Sequence, residues 1–355
     1  MIVNTFAQLR HLRFDNLAPL YRLARRLVNK LFSLPADLAC RINSSDWFER
    51  LVLYPRYQQW RDRHQAFLPV LDATEQTIVD RLEQEGIYIT SLAALAIPDS
   101  QQLLAAAEPI SKELARLSRV PSQAGKHTLM ATAEQLLQHP EVLRWGLSSR
   151  LLKIVESYLG LPVGYGGLSF YYSVADGRDA GPRIWHRDKE DWRMIKVAVY
   201  LNDVNEAGGP YQCVNAATNE WLVAELPKYK GLTHTDMQQL LNNRSDAHRA
   251  DDNRPDNWLI SCIGKAGTVI FTDTSRCYHR GKPPIQTDRA AIFFHYFSYR
   301  PKNPFYCDRS PLSARQIVEF DRQLPPELQG YLTWRDRYPL IGRYIPKNFM
   351  KVDNW

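Results

Sequence analysis

Trp185-His186-Arg187-Asp188, then a short charged turn, then Met194-Ile195-Lys196-Val197-Ala198-Val199-Tyr200: this stretch decides how the chain is read. Side chains of extended backbone alternate faces, so His186 and Asp188 point the same way. A neutral imidazole beside a carboxylate gives two of the three ligands of a 2-His-1-carboxylate facial triad. That set grips Fe(II) from one side and leaves the opposite positions open. His-x-Asp alone is a weak signal that arises by chance in many chains. The missing imidazole is expected far downstream, because a barrel gathers strands distant in sequence. His279 meets this requirement, just past the strand-like Gly267-Thr268-Val269-Ile270-Phe271. Ten residues further, Arg289 opens the apolar run 290–297. An Arg at the floor of a β-barrel needs an anionic partner, and its planar fork matches a carboxylate bidentately.

The order His-x-Asp, distant His, then Arg is what 2-oxoglutarate-dependent iron oxygenases require. His186-Arg187-Asp188, the run Tyr200-Leu201-Asn202-Asp203-Val204, Gly209-Pro210, and Phe271-x-Asp273 followed by His279-x-Gly281 resemble phytanoyl-CoA dioxygenase-like proteins, over roughly residues 72–300. The resemblance implies a double-stranded β-helix (jelly-roll, cupin-like) binding Fe(II) and 2-oxoglutarate. His186, Asp188 and His279 would be the metal ligands, and Arg289 would grip the distal carboxylate of the co-substrate. Oxygen would be consumed, succinate and CO2 released, and ascorbate is a candidate reductant. Related halogenases replace the carboxylate by a small residue, so Asp188 favours hydroxylation, or a desaturation or cyclisation variant. Two departures stand out. Ala291 occupies a position where many members carry Ser, and Asn215-Ala216-Ala217-Thr218 replaces the usual Gly-Ser-His.

Composition is that of an ordinary globular protein: 355 residues, 45% hydrophobic, 23% charged. The formal net charge of +7 favours an anionic partner, such as a phosphorylated, acyl- or carrier-bound substrate. The five cysteines (40, 213, 262, 277, 307) form no C-x-x-C pair, which argues against a zinc finger and suits reduced thiols. No apolar run approaches the roughly 18 residues of a membrane span. No signal-peptide layout opens the chain, so a cytoplasmic enzyme of a small-molecule substrate is expected, with no nucleic-acid partner.

The chain divides into three parts. Residues 1–70 read as a basic helical extension, with an amphipathic series at Leu17, Leu20, Tyr21, Ala24, Leu27, Val28 and Leu31 interleaved with arginines. The basic face within 10–33 could touch an anionic membrane surface, although such a stripe more often packs on its own domain. Residues 71–300 read as the β-helix domain: a helix from about 72 with Thr74 as cap, an edge strand at 87–90, and a helix from 97 to about 117. Helices over 131–138, 140–147 and 149–159 would buttress the sheet. A strand over 166–174 follows, whose Tyr171 and Ser173 share one face and would meet the co-substrate.

On the strand after the His-x-Asp motif, Lys196 either holds a carboxylate inside or lies on a solvated face. Residues 216–262, with a short helix at 235–241, read as a lid-like insertion whose Trp221 and Trp258 would act as hinges or walls. His234 and His248 read as surface residues, and His295 as a hydrogen-bonded core residue. Residues 301–355, with a helix near 313–323, read as an aromatic-rich wrap. Rival readings are a non-catalytic β-helix binding module, a zinc hydrolase using the same ligands, and a peripheral membrane protein.

Overall fold

The computed structural model describes residues 34–35, 37–123, 125–247, 258–307 and 309–337. The basic stripe expected over 16–33, His248 and the tail aromatics Tyr338, Tyr344 and Trp355 lie outside them.

Nine strands are formed by the described residues: β1 (Ile87–Ser91), β2 (Thr128–Met130), β3 (Val163–Ser173), β4 (Ile195–Tyr200), β5 (Tyr211–Val214), β6 (Leu259–Cys262), β7 (Thr268–Asp273), β8 (His279–Gly281) and β9 (Arg289–Ser298). They build a larger antiparallel sheet in the order β1-β7-β4-β9-β3-β2 and a smaller one in the order β6-β5-β8. An isolated bridge between His186 and His279 adds the His-x-Asp segment to the smaller sheet beside β8. From β3 onward the chain therefore passes back and forth between the two sheets, the winding of a double-stranded β-helix. The sheets remain separate ladders and do not close into one barrel.

The period-2 alternation of the strands separates two cores. Ile195, Val197 and Val199 of β4, with Ile292, Phe294 and Tyr296 of β9, face outward into a helical layer that includes Leu82, Leu114, Leu152 and Val155. Ala198 and Tyr200 of β4, with Ala291 and Phe293 of β9, face inward and meet Tyr211, Cys213 and Cys262 of the smaller sheet. On β4 and β9 the bulky aliphatics therefore lie on the helix side, while the inner side carries alanines and aromatic rings.

Several sequence expectations shift. The first helix, Ala73–Glu85, is capped by Asp72, not Thr74. The Asp72 carboxylate accepts from the Glu75 amide at 2.8 Å and Glu75 accepts from the Asp72 amide at 2.9 Å, a reciprocal box. Gly86, at φ 72°, ends that helix and turns the chain into β1, which is an edge strand as expected. Helices at Ser100–Ser118, Ala133–Gln138, Glu141–Trp145 and Ser149–Leu159 supply the buttress. Strand β3 starts three residues before the expected 166. Gly167 (φ 80°) stands where the register with β9 slips between Tyr165 and Leu168, so the glycines mark a bulge and not a beginning.

The segment read as a lid contains two helices, Ala216–Glu225 and His234–Ala247, and ends in β6, which belongs to the smaller sheet. Trp221 and Trp258 pack on a small core of Trp185, Leu222, Leu232 and Met237. They are scaffold residues; among the described residues of this segment, the cavity is reached by Tyr229.

Candidate metal centre

The His-x-Asp segment is fastened to the far strand by main-chain bonds. The His186 amide donates to the His279 carbonyl at 3.1 Å and the His279 amide returns the bond at 3.0 Å. Two residues on, the Asp188 amide donates to the Thr274 carbonyl at 2.8 Å. The His186 and His279 rings come to 4.4 Å between centroids, and one donor atom from each of His186, Asp188 and His279 lies within 4.8 Å of the others. Asp188 Oδ2 is 3.9 Å from His279 Nε2. Bonds of a first-row divalent ion to such donors, about 2.0–2.2 Å each, reach across that spread with little contraction.

Both imidazoles are set up as ligands. His186 Nδ1 lies 2.8 Å from the Ile184 carbonyl and His279 Nδ1 lies 3.0 Å from the Cys277 carbonyl. A ring that donates through Nδ1 keeps its Nε2 lone pair for a metal. Burial lowers the pKa of each below the ordinary imidazole value, His279 well below it, where the neighbouring His186 adds to the effect. Burial by itself would raise the Asp188 carboxyl, but Lys196, His279 and Arg309 outweigh it and hold the group well below the carboxylate range. Asp188 Oδ2 is buried and accepts no well-directed hydrogen bond, although the Lys196 ammonium lies against it. Neutral imidazoles beside an ionised, under-satisfied carboxylate are the donor set a divalent cation requires.

Lys196 therefore does not lie on a solvated face, one of the two readings its strand allowed. It stands opposite His295 in the β4–β9 ladder, on the inward face. His295 is buried with Nε2 3.1 Å from Ser169 Oγ, the hydrogen-bonded residue expected, yet it also lines the cavity and its Nδ1 has no partner among the described residues.

Arg289 opens β9 at the other end of the same cavity, about 350 Å³ in volume, which His186, Asp188 and His279 also line. Its guanidinium is buried, bonds the Gly209 carbonyl, and meets no carboxylate among the described residues. Burial lowers its pKa without neutralising it. Two glycines make the space. A Cβ on Gly281 would stand 2.7 Å from Arg289 Nη2, and Gly209, at φ 69°, would place one 2.5 Å from the Lys282 carbonyl oxygen.

Tyr171 and Ser173 line the cavity from β3, with Ser173 in register with Arg289, while Tyr172 turns away to donate to Asp288 at 2.8 Å. Ala291 is buried in the inner core, and Asn215 caps the following helix by accepting from the Thr218 amide at 2.9 Å. His234 accepts from Trp185 Nε1 at 3.3 Å and is half-buried, away from the metal donors.

Three contributions escaped the sequence reading. Asp273 organises the turn before His279: Oδ1 accepts from Ser275 Oγ at 2.8 Å and from the Arg276 amide at 3.1 Å, and Oδ2 accepts from Tyr158 at 2.5 Å. Arg309, in a segment read as wrapping, reaches the cavity, where it pairs with the wholly buried Glu190 and lies 3.7 Å from Asp188 Oδ1. Tyr229 lines the rim at φ 61°. Asp273 stands in the motif quoted above, which carried no role for it; Arg309 had no periodicity or motif, and for Tyr229 the sign was an aromatic in a Pro-Lys-Tyr-Lys-Gly turn.

Fold and site together define a jelly-roll with a 2-His-1-carboxylate metal site and a buried arginine. No family model and no curated protein matches the chain. Among solved structures it is similar to HygX from Streptomyces hygroscopicus with nickel and 2-oxoglutarate bound, at 16% identity over 65% of this chain and 88% of that one, with a TM-score of 0.40. It is also similar to the epimerase SnoN in complex with Fe3+, alpha ketoglutarate and nogalamycin RO, at 17% identity over 68% and 92%, TM-score 0.43. EctD from S. alaskensis with 2-oxoglutarate and 5-hydroxyectoine is a third, at 16% identity over 65% and 79%, TM-score 0.42. These likenesses are distant, and the site stands on its own geometry. No described helix is long and apolar enough to cross a membrane.

Proposed function

We propose that this chain is an Fe(II)/2-oxoglutarate-dependent oxygenase that hydroxylates a small metabolite. One observation carries the reading: a buried arginine with no carboxylate of its own shares a cavity with two Nε2-presenting histidines and an ionised aspartate. His186, Asp188 and His279 would hold iron. Arg289 would take the distal carboxylate of 2-oxoglutarate, with Tyr171 and Ser173 beside it and Lys196 near the metal end. Bound iron with 2-oxoglutarate and dioxygen supplies the oxidising power that inserts oxygen into a C–H bond, releasing succinate and CO2. The chain's own work is positioning: the inner strand faces exclude water, and the Asp273 turn orients His279.

A zinc hydrolase would use the same ligands but gives Arg289 no task, and a non-catalytic module would give none to the metal donors. The test is titration of the full chain with Fe(II) or Co(II) and 2-oxoglutarate without oxygen, followed by succinate release in air with ascorbate. Wild type should bind both and release succinate, while Asp188→Ala should bind metal at least tenfold more weakly and release none above background. Turnover that persists in Asp188→Ala removes the aspartate from the iron site. Failure of wild type to bind 2-oxoglutarate removes the proposal.

A further inference from the structure

Charge in the buried part of the cavity does not balance, and the surplus falls on one side chain. Lys196, Arg289 and Arg309 line it against two carboxylates, Asp188 and Glu190. Arg183 has its own partner in Asp176. Arg187 and Lys189 are half-buried and directed elsewhere, Arg187 to the Ser275 carbonyl and Lys189 to the Tyr306 ring. Arg309 pairs with Glu190, and Arg289 is the co-substrate's by the reading above. A divalent ion and the dianion of 2-oxoglutarate cancel each other, so loading the site with both leaves one positive charge over. It falls on Lys196, because its carboxylate partner, Asp188, is the one the ion would claim. An ammonium whose side chain is only 12% exposed is costly to leave without a counter-charge.

A second polar group stands beside it. Lys196 on β4 is paired across the ladder with His295 on β9, and both line the cavity. His295 is 3% exposed; its Nε2 is engaged by Ser169 Oγ, while Nδ1 is buried with no hydrogen-bond partner among the described residues. With the Ser169 hydroxyl donating to Nε2, Nδ1 carries the proton and is a buried donor that calls for an acceptor. The inward neighbours Ala198, Ala291 and Phe293 on the same two strands are apolar. An ammonium and an imidazole N–H side by side on such a floor form a two-point receptor for a carboxylate.

We propose that the substrate carries a carboxylate that docks on Lys196 and His295, beside the metal donors and apart from the site of Arg289. The pairing of these two side chains is seen directly; the charge count, and that the docked molecule is a substrate, rest on the function proposed above. Because Lys196 touches a metal ligand, the carbon presented to the ion is one near the carboxylate. The substrate is then a short acid, not the far end of a long chain.

The experiment is calorimetry of the full chain without oxygen, saturated with Co(II) and 2-oxoglutarate so that Arg289 is occupied, with propionate and neutral propionamide as probes. Co(II) and 2-oxoglutarate affinities are measured first for every variant. Wild type should bind propionate saturably, and propionamide about tenfold more weakly or worse. Lys196→Met should weaken propionate binding about tenfold or more. His295→Phe, which leaves the Lys196–Asp188 pair in place, should weaken it about threefold or more, and decides the matter where Lys196→Met no longer takes Co(II). A charge control at the exposed Lys265 (Lys265→Met) should leave it unchanged. No saturable propionate binding to loaded wild type, equal binding of propionamide, or propionate binding indifferent to the variants that still take Co(II) overturns the proposal. Lower Co(II) affinity in Lys196→Met with propionate binding intact in His295→Phe reduces Lys196 to a support for Asp188 and overturns it too. Wild type that takes no Co(II) or no 2-oxoglutarate sinks the oxygenase reading and the charge count with it. Wild type that takes both and no propionate sinks the receptor alone.

Discussion

Replacing Gly281 by Ala tests whether Arg289 is placed to meet a carboxylate. The backbone of Gly281 is not in the left-handed region, so the added methyl group acts through space alone. Its Cβ would stand 2.7 Å from Arg289 Nη2 and 3.5 Å from Cζ, the first of these about 0.7 Å inside ordinary contact. The guanidinium must swing away, and its other nitrogen is tied to the Gly209 carbonyl, so the fork tilts instead of translating. Losing one of two charge-assisted hydrogen bonds costs about 1.5–3 kcal/mol. The 2-oxoglutarate affinity should therefore fall about 10- to 150-fold. Co(II) affinity should hold within about twofold, because His186, Asp188 and His279 are placed by other bonds. Titration of 2-oxoglutarate into Co(II)-loaded protein, with metal affinity measured separately, reads both numbers. Undiminished 2-oxoglutarate binding, or a metal affinity that falls in parallel, would refute the role given to the arginine.

Gly209→Ala meets backbone on two sides, with Cβ 2.5 Å from the Lys282 oxygen and 2.6 Å from Pro284 N at φ 69°, and should cost about 2–4 kcal/mol of stability in urea unfolding, more than Gly281→Ala. Tyr158→Phe takes a buried donor from Asp273, and should lower stability by about 1–3 kcal/mol and weaken Co(II) binding through the loosened turn at His279, both read by titration. Burial, with Lys196 second, depresses the His295 pKa to about 3, so the unfolded chain takes up the proton first as pH falls. The stability this histidine contributes is complete above about pH 6.5 and shrinks as pH drops towards the folded value. Between pH 7.5 and 5 wild type should lose about 2 kcal/mol more than His295→Gln, measured by denaturant midpoints at each pH.

The β-helix was legible because period-2 patterning runs through β4, β7 and β9, and because His186, Asp188, His279 and Arg289 fall in a recognisable order. The face of Lys196 was not, since alternation states which residues share a side and not which side meets water. Only the β4–β9 register, setting Lys196 against His295, decides it. The cap of the first helix was misplaced by two residues because Asp72 and Thr74 are both good caps, and only the bond from Asp72 to Glu75 separates them. Trp221 and Trp258 suit the hinges or walls of a lid by sequence because large aromatics serve a binding surface equally well; their packing around Trp185 is a tertiary fact. Arg309 acts through Glu190 and Asp188, far along the chain, to which no local pattern corresponds; Asp273 stands in the quoted motif, but its bond from Tyr158 is likewise a tertiary fact.

His186, Asp188 and His279 are seated by main-chain amides and carbonyls, so the pairing at these three positions does not depend on the side chains they carry. Exchanging those side chains would change what the hollow can ligate without unthreading the ladder that supports it. Inserting or deleting one residue between 186 and 188 would instead turn one of the two ligands to the opposite face. At the ligand positions the molecule can tolerate changes of chemistry far more readily than changes of length.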